Sequence, residues 1–488
     1  ASKNIARNER RPRERAPARD PSAMTTRDLM PSALHPIRNR LLAIKLLPGQ
    51  VVALAGLAVI VLGACLLMLP FATAPGVSLR FIDAIFTSTS AVCVTGLIVL
   101  DTPKEFTPFG QVVIMSLIQI GGLGYSTLST LLLMALGQRI GLRERMMMAE
   151  ALSTLDMEGM VRFVKMMVIL TFGIEGIGAL LLAIRFSFDM DIGAALYHGL
   201  FHSISAFNNA GFSLFSDNLI SYRADLTVNL VITTLIILGG IGFLVFRDVA
   251  DNMTGQRLRF QTHTKLAVLV TLFLLLGGTI GIWAFEGSNP RTFATMAGGE
   301  QALTAYFHSV SARTAGFNTI DLSAMRDATL YFIILLMVVG GSPGSTAGGI
   351  KTTTFGIVFL SVWSVLRQRA DVEAFHRRIP SDVIVRAVNL SILAGASVTL
   401  LTLLLALSED RSFLGLMFEI ASAIGTVGLS VGDGGVRSLS ALFSDFGKSL
   451  VILTMLLGRF GPLMIGLFAI KTHAQMRYRY PQAKVVIG

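Results

Sequence analysis

Cysteine, tryptophan and charge are all scarce in this chain of 488 residues. Its two cysteines, Cys65 and Cys93, lie in apolar surroundings and are too few and too far apart to suggest a disulfide framework or a zinc site. His198 and His202 have the i, i+4 spacing of a metal pair, but the Glu of HExxH is missing, so they read as one packed helix face. Charged residues make up 15% of the chain against 53% hydrophobic, with a mean hydropathy of +0.67. That balance excludes a disordered protein, a coiled coil and an ordinary soluble enzyme.

What charge there is has an uneven distribution. Residues 1–47 hold 11 basic and 4 acidic side chains, a net +7 out of the overall +11. The excess is therefore mostly one polar, arginine-rich arm, expected to be disordered beside anionic lipid on the cytoplasmic face. No aromatics are interleaved with its arginines, which argues against nucleic acid as a partner. Met24 and Met30 within it are candidate starts, and no function is read from the arm.

Long apolar stretches fill the rest, at roughly 48–70, 108–136, 161–185, 226–246, 264–284, 328–364, 385–407 and 446–470. Each is long enough to cross a bilayer, which takes about 20 residues as a helix. The expected fold is an all-α polytopic membrane protein with eight spanning helices. Basic residues cluster after every second stretch: Arg139, Arg143 and Arg145; Arg247, Arg257, Arg259 and Lys265; Arg367 to Arg386; Lys471 to Lys484. The positive-inside rule puts these loops, the arm and both termini in the cytoplasm.

Within each pair of spans lies a shorter, half-polar segment, at 81–100, 193–215, 302–320 and 413–431. These segments resemble one another: FTSTSAVCVTGL (86–97), FHSISAFNNAGF (201–212), FHSVSARTAGF (307–317) and FEIASAIGTVGL (418–429). Each begins on Phe, passes through Ser-Ala and reaches a glycine, Gly96, Gly211, Gly316 or Gly428, spaced 115, 105 and 112 residues apart. The third copy is one residue shorter between its serine and its glycine. The chain thus reads as four helix, pore-loop, helix repeats with four re-entrant pore helices around one central pore, bounded at 48–150, 151–255, 256–378 and 379–488.

Non-helical backbone at membrane depth is tolerated only where protein buries it or it lines a watery cavity, and its carbonyls suit a dehydrated cation. The negative ends of the four short helices would favour the same charge. Glycine permits backbone angles that a Cβ obstructs. Val94 and Thr95, Asn209 and Ala210, Thr314 and Ala315, and Thr426 and Val427 are then the expected carbonyl donors alongside the four glycines.

The segments TSAVCVTGLIVLDT (89–102), FHSISAFNNAGFSL (201–214), ARTAGFNTID (312–321), GSTAGGIKTTTF (344–355), SAIGTVGLS (422–430) and GRFGPL (458–463) resemble the Trk/Ktr/HKT cation-transporter superfamily. Within it the likeness is closest to the KtrB type, the membrane subunits of Ktr potassium-uptake systems, since only one span precedes the first short segment. The resemblance implies K+ as the transported ion, with Na+ as a candidate activator, and a homodimer in the bacterial inner membrane. It also implies a cytoplasmic RCK/KtrA-like ring, on which any nucleotide would bind. It further implies an intramembrane gate made by Gly340, Gly341, Ser342, Pro343, Gly344, Ser345, Thr346, Ala347, Gly348 and Gly349 with Lys351, and an Arg459 that projects into the permeation path.

The residues themselves agree that 338–354 is unusual, since Gly, Ser and Pro interrupt an apolar stretch. The run imitates a phosphate-binding loop, but Ile350 separates Gly349 from Lys351 and no strand precedes it, so a nucleotide site is rejected. Arg459 would cost roughly 2.5–3.5 kcal/mol at the bilayer centre and should face water or an acid, as a barrier to cations. Glu175, inside a span, reads as hydrogen-bonded structure rather than a proton carrier. Asp101 and Asp321, just after their glycines, are placed to concentrate cations or to make turns. The alternatives to a gated potassium path are an ion-coupled secondary transporter and a sodium-conducting relative of the same fold. Nothing supports an enzyme.

Overall fold

The computed structural model describes residues 48–76, 79–124, 160–255, 259–432, 434 and 436–468. The arm at 1–47 and the basic clusters at 139–145 and 471–484 lie outside these residues. The chain divides after Leu47, and the unit that begins at Pro48 holds all the described residues.

It is built almost wholly from helices, in an order that recurs. A first helix leads to a short helix, an extended segment and a second helix. The first group comprises α1 (Pro48–Leu67), α2 (Phe81–Val92) and α3 (Pro108–Leu123). The second comprises α4 (Met160–Phe186), α5 (Ile192–Phe207), α6 (Leu226–Gly240) and α7 (Phe243–Met253). The third comprises α8 (Thr262–Glu286), α9 (Gly298–Ser311), α10 (Asp327–Val338) and α11 (Thr352–Leu366). The last comprises α12 (Ser381–Ala406), α13 (Phe413–Gly425) and α14 (Asp445–Phe468). Local chemistry starts several of them. Thr107, Asp225 and Ser412 cap α3, α6 and α13 by accepting the N–H of Gly110, Val228 and Gly415, and Pro108 opens α3 where its missing N–H costs nothing.

Among the described residues, α8, α12 and most of α4 (Arg162–Phe186) are long and apolar enough to cross a bilayer alone, and α6 with α7 reaches that length only as a bent pair, a broken span or a re-entrant loop. The single helix expected over 226–246 is corrected: the chain bends by 88° after Gly240, where Gly242 has φ +97. The stretch 328–364 is two helices separated by a loop at 339–351, at the interruption expected over 338–354. Exposed Ile169, Phe172 and Ile177 on α4, and Phe273, Leu276 and Ile280 on α8, would be an oversized apolar patch in water and are an ordinary surface in lipid. A small antiparallel hairpin, β1 (Glu373–Ala374) with β2 (Arg377–Arg378), adds strand to the all-α expectation. Its turn places Phe375 and His376 at φ +50 and +63, without the Asn or Gly that usually announces such a turn.

The short helices are held in the centre by repeated contacts. Phe86, Phe201, Phe307 and Phe418, near the middle of each, are fully buried. Two residues on, Ser88, Ser203 and Ser309 donate to the carbonyls of Ile60, Glu175 and Leu275 on the preceding helix at 2.7–2.8 Å. Gly63, Gly178 and Gly278 make room, because a Cβ there would meet the serine oxygen at 2.6 Å or less. The fourth copy has Ile420 in place of the serine. Each second helix also touches the next short helix in turn, α3 on α5, α6 on α9 and α10 on α13, and α14 returns to α1 and α2. The arrangement is circular.

Ion pairs fasten the circle where its ends meet: Arg80, just before α2, pairs with Asp83 and with Asp445 of α14, each at 3.0 Å, and a buried pair lies beside them. Lys448 Nζ on α14 donates to Asp83 Oδ1 on α2 at 2.7 Å, with side chains only 6% and 10% exposed. Asp83→Leu strands the ammonium and should cost about 3–5 kcal/mol, the range for breaking a buried pair. Thermal unfolding in detergent should show the single variant well below the double variant with Lys448→Met. Equal loss in the two would exclude the pair as part of the fastening.

Candidate ion-binding site

Each short helix ends in a turn that the sequence sets by a left-handed residue and, two positions on, a glycine. Val94, Asn209, Thr314 and Thr426 have φ of +55, +59, +71 and +51; Gly96, Gly211, Gly316 and Gly428 follow at +91, +70, +80 and +96. Left-handed angles at four residues with a Cβ cost free energy and persist only where the surroundings fix them.

Serine supplies part of that fixing. The N–H of Thr95, Ala210 and Val427 donates to the carbonyl of Ser90, Ser205 and Ser422, five residues back, at 2.7–2.8 Å. In the third copy Ala315 donates to Ser311, four residues back, at 2.9 Å. The missing residue is therefore absorbed by a tighter closure, and Gly316 keeps its place. The serine hydroxyls complete the turns in two ways. Ser90 and Ser422 accept from the N–H of Gly96 and Gly428, whereas Ser205 and Ser311 donate to the carbonyls of Phe212 and Phe317.

These turns bring the four glycines together. A Cβ on Gly96 would lie 2.5 Å from Ala210 O, one on Gly211 2.7 Å from Ala315 O, and one on Gly316 2.5 Å from Val427 O. A Cβ on Gly428 would strike Thr95 O, so the sequence of contacts returns to its start. Glycines and the carbonyls of Thr95, Ala210, Ala315 and Val427 thus alternate round a closed ring. All twelve residues read from the sequence as carbonyl donors or glycines belong to it or to the turns directly beneath it. Asn209 and Thr314 touch across neighbouring turns, with the amide 3.2 Å from the hydroxyl.

A vestibule opens on the ring. Its lining includes all four glycines together with Asp101, Ser213, Asn318, Ser430 and Arg437. Behind Asp101 stands Glu105, whose carboxylate accepts the Asp101 N–H at 2.6 Å. Burial pushes the Glu105 carboxyl up, opposed by that bond and by the charge of Arg437. Asp321 instead caps a short turn by accepting from Ser323, so of the two acids weighed at the mouth only Asp101 lines it.

On the other side of the ring lies the loop at 339–351. Its ends are zipped together: Gly340 N–H donates to Ile350 O at 2.8 Å and Thr352 N–H to Gly341 O at 3.0 Å. Its middle reaches across to the second group, where Ser342 N–H donates to Gly240 O and Thr346 N–H to Gly239 O. Thr346 Oγ1 also donates to Phe207 O, the last carbonyl of α5, at 3.1 Å. Gly348 packs against the Thr426 side chain and Gly340 against that of Thr314, so the loop lies against the underside of the ring. Lys351 turns back to donate to Ala347 O at 2.7 Å. Arg459 on α14 donates to Thr346 O and, across the structure, to Gly121 O, both at 2.5 Å. All the residues read as a gate are therefore gathered here, and Arg459 clamps them.

Other expectations resolve as local chemistry. His202 is engaged at both nitrogens, with His198 O at 2.8 Å and Ser213 Oγ at 2.9 Å. Glu175 accepts from Asn208 at 2.8 Å, behind the second turn. Two features escaped the sequence reading. Glu419, fully buried on α13, accepts from Ser430 Oγ at 2.6 Å and from the Ser440 N–H at 2.9 Å, bracing the strand after Gly428 as His202 braces the one after Gly211. The signal was available, since both directly follow the repeated phenylalanine. The other is a second glycine repeat: Gly121-Gly122-Leu123-Gly124, Gly239-Gly240-Ile241-Gly242, Gly340-Gly341 and Gly458-Arg459-Phe460-Gly461. Gly121, Gly239 and Gly458 press on the terminal turn of α2, α5 and α13, where a Cβ would overlap the carbonyls of Val92, Phe207 and Ile424. Arg459 stands where the other copies have their second glycine.

Residues 49–479 match the TrkH family, described as cation transport protein. The chain is similar to Ktr system potassium uptake protein B of Bacillus subtilis, at 43% identity over 91% of this chain and 98% of that protein. It is also similar to the protein of the same name from Vibrio alginolyticus, at 39% identity over 90% and 94%. Among solved structures, the potassium transporter TrkH from Vibrio parahaemolyticus superposes with a TM-score of 0.67 over 88% of this chain and 86% of that one, at 17% identity.

Proposed function

The chain belongs to the TrkH family of cation transport proteins, and from that premise we propose that it takes up potassium through the ring of four glycines and four carbonyls. The closed ring is the observation that carries this reading. It supplies backbone oxygens in place of a hydration shell, at the C-terminal ends of α2, α5, α9 and α13, where helix dipoles favour a cation. On this reading the chain is four helix, pore-loop, helix repeats with eight spans around one path. Val94, Thr95, Gly96 and their counterparts form the selectivity filter, and both termini lie in the cytoplasm of a bacterium.

The loop at 339–351 and Arg459 then form the gate. The loop fills the space beneath the filter, and a guanidinium fixed there opposes a passing cation. The two relatives are named as parts of a Ktr system. A homodimer regulated by a cytoplasmic RCK-type ring, carrying the nucleotide, fits that name and the basic cytoplasmic loops. Each turn has one glycine where a TVGYG filter has two, so discrimination against sodium should be looser than in a potassium channel.

Purified protein in liposomes tests the reading. Saturable Rb+ or K+ flux that runs only down its electrochemical gradient, and that rises when the cytoplasmic partner is added, is the expected result. Uphill flux driven by a proton or sodium gradient would instead establish the coupled transporter, and equal Na+ and K+ flux the sodium-conducting relative.

A further inference from the structure

The position three residues before each ring glycine lies behind the ring, and the four copies differ there: Cys93, Asn208, Arg313 and Gly425. Only the third is charged. Arg313 is 6% exposed, and the partners of its guanidinium are uncharged. Its Nη2 donates to Thr271 Oγ1 on α8 at 3.5 Å and to Gly340 O at 3.4 Å, while Nε is buried without a partner. A cation kept in such a place on long, incomplete hydrogen bonds is costly, and apolar packing would be cheaper if stability alone were at issue.

The two partners say what the charge touches. Gly340 is the second residue of the loop, and its N–H is already held by Ile350 O. The Arg313 contact therefore grips the other face of the same glycine, beside Thr314, whose methyl group a Cβ on Gly340 would approach to 3.1 Å. Arg313 and Thr314 are adjacent in the chain, and Thr314 is the left-handed residue of the third turn, directly beneath the ring, that also touches Asn209 in the neighbouring turn. A shift of Gly340 is thus felt at two successive residues of the third turn and, through Asn209, at the second.

We infer that Arg313 is a positioning residue that ties the third turn of the ring to the base of the 339–351 loop, so that opening the loop loosens ion discrimination. The inference rests on the reading of the ring as the ion path and the loop as its gate. It makes permeation and selectivity properties of one coupled element, carried by a side chain that touches no ion.

Paired Rb+ and Na+ fluxes in liposomes test it, using the full chain, Arg313→Gln, a deletion of 345–348 and the two combined. Arg313→Gln should lower the Rb+ to Na+ ratio about fivefold, within the range expected of a single residue on a coupling route. The deletion should lower the ratio in the parent, yet add nothing once Arg313 is replaced. A purely structural role would reduce both fluxes together and leave the ratio unchanged, and an unchanged ratio overturns the inference. So does a deletion that shifts the ratio by the same factor in both backgrounds. If Arg313→Gln does not fold, Arg313→Lys serves with the same two outcomes, because one ammonium lacks the fork that reaches Thr271 and Gly340 together. Gly96→Ser separates the levels: if it too leaves the ratio unchanged, the ion path itself has been misassigned, whereas if it alone changes the ratio, only the role of Arg313 fails.

Discussion

Gly96→Ser is expected to lower the potassium-to-sodium flux ratio by about tenfold or more, equivalent to ~1.4 kcal/mol of lost discrimination. The added Cβ would sit 2.5 Å from Ala210 O, a backbone atom with no rotamer to escape into. Gly96 also has φ +91, which a residue with a side chain adopts only under strain of about 1–3 kcal/mol. The strand must shift, and with it the Thr95 carbonyl that stands next to Gly428. Because selection between two monovalent ions depends on the number and spacing of oxygens, a displaced carbonyl affects the ratio before it affects total flux. Gly211 is boxed in by two backbone atoms, Ala315 O at 2.7 Å and Gly316 Cα at 2.9 Å, so Gly211→Ser should be at least as damaging. The check is Rb+ and Na+ flux on monodisperse protein. A well-folded Gly96→Ser variant with the parental ratio would remove the ring from the ion path.

Deleting 345–348 should give a protein whose flux no longer depends on the cytoplasmic partner, with partner-free flux raised by about tenfold or more. The deletion takes away Thr346, on which three attachments converge: its N–H to Gly239, its hydroxyl to Phe207 and its carbonyl from Arg459. It leaves the zipped ends, Gly340 with Ile350 and Gly341 with Thr352, so the walls around the loop keep their own bonds. Arg459→Ala removes the clamp alone and should raise partner-free flux by a smaller factor. If the shortened loop still requires the partner as before, the obstruction lies elsewhere on the path.

Much of this site is legible in the sequence because its chemistry leaves few options. A left-handed turn under close backbone contact calls for glycine, and four such turns at similar spacing mark one another. The same residue type also hid the remainder. Hydropathy treats glycine as neutral, so 226–246 reads as one apolar span although Gly242 turns the chain by almost a right angle, and the glycine pairs beneath the short helices pass as filler. Contacts between distant residues were out of reach for another reason. Asp83 and Lys448 are 365 residues apart, and nothing local to either announces the other. Arg313 lay in plain view within FHSVSARTAGF, but its role needs the position of Gly340, which only the folded loop supplies.

The tighter closure in the third turn has an implication for how such a ring can change. A ring assembled from four identical subunits must alter all its quadrants at once whenever one codon changes. Here the oxygens belong to Thr95, Ala210, Ala315 and Val427 of a single chain, and one quadrant already dispenses with a residue the others keep. If the ring is the ion path proposed above, each of its walls is under separate genetic control, so ion preference would drift in quarter steps while the other three walls stayed as they are.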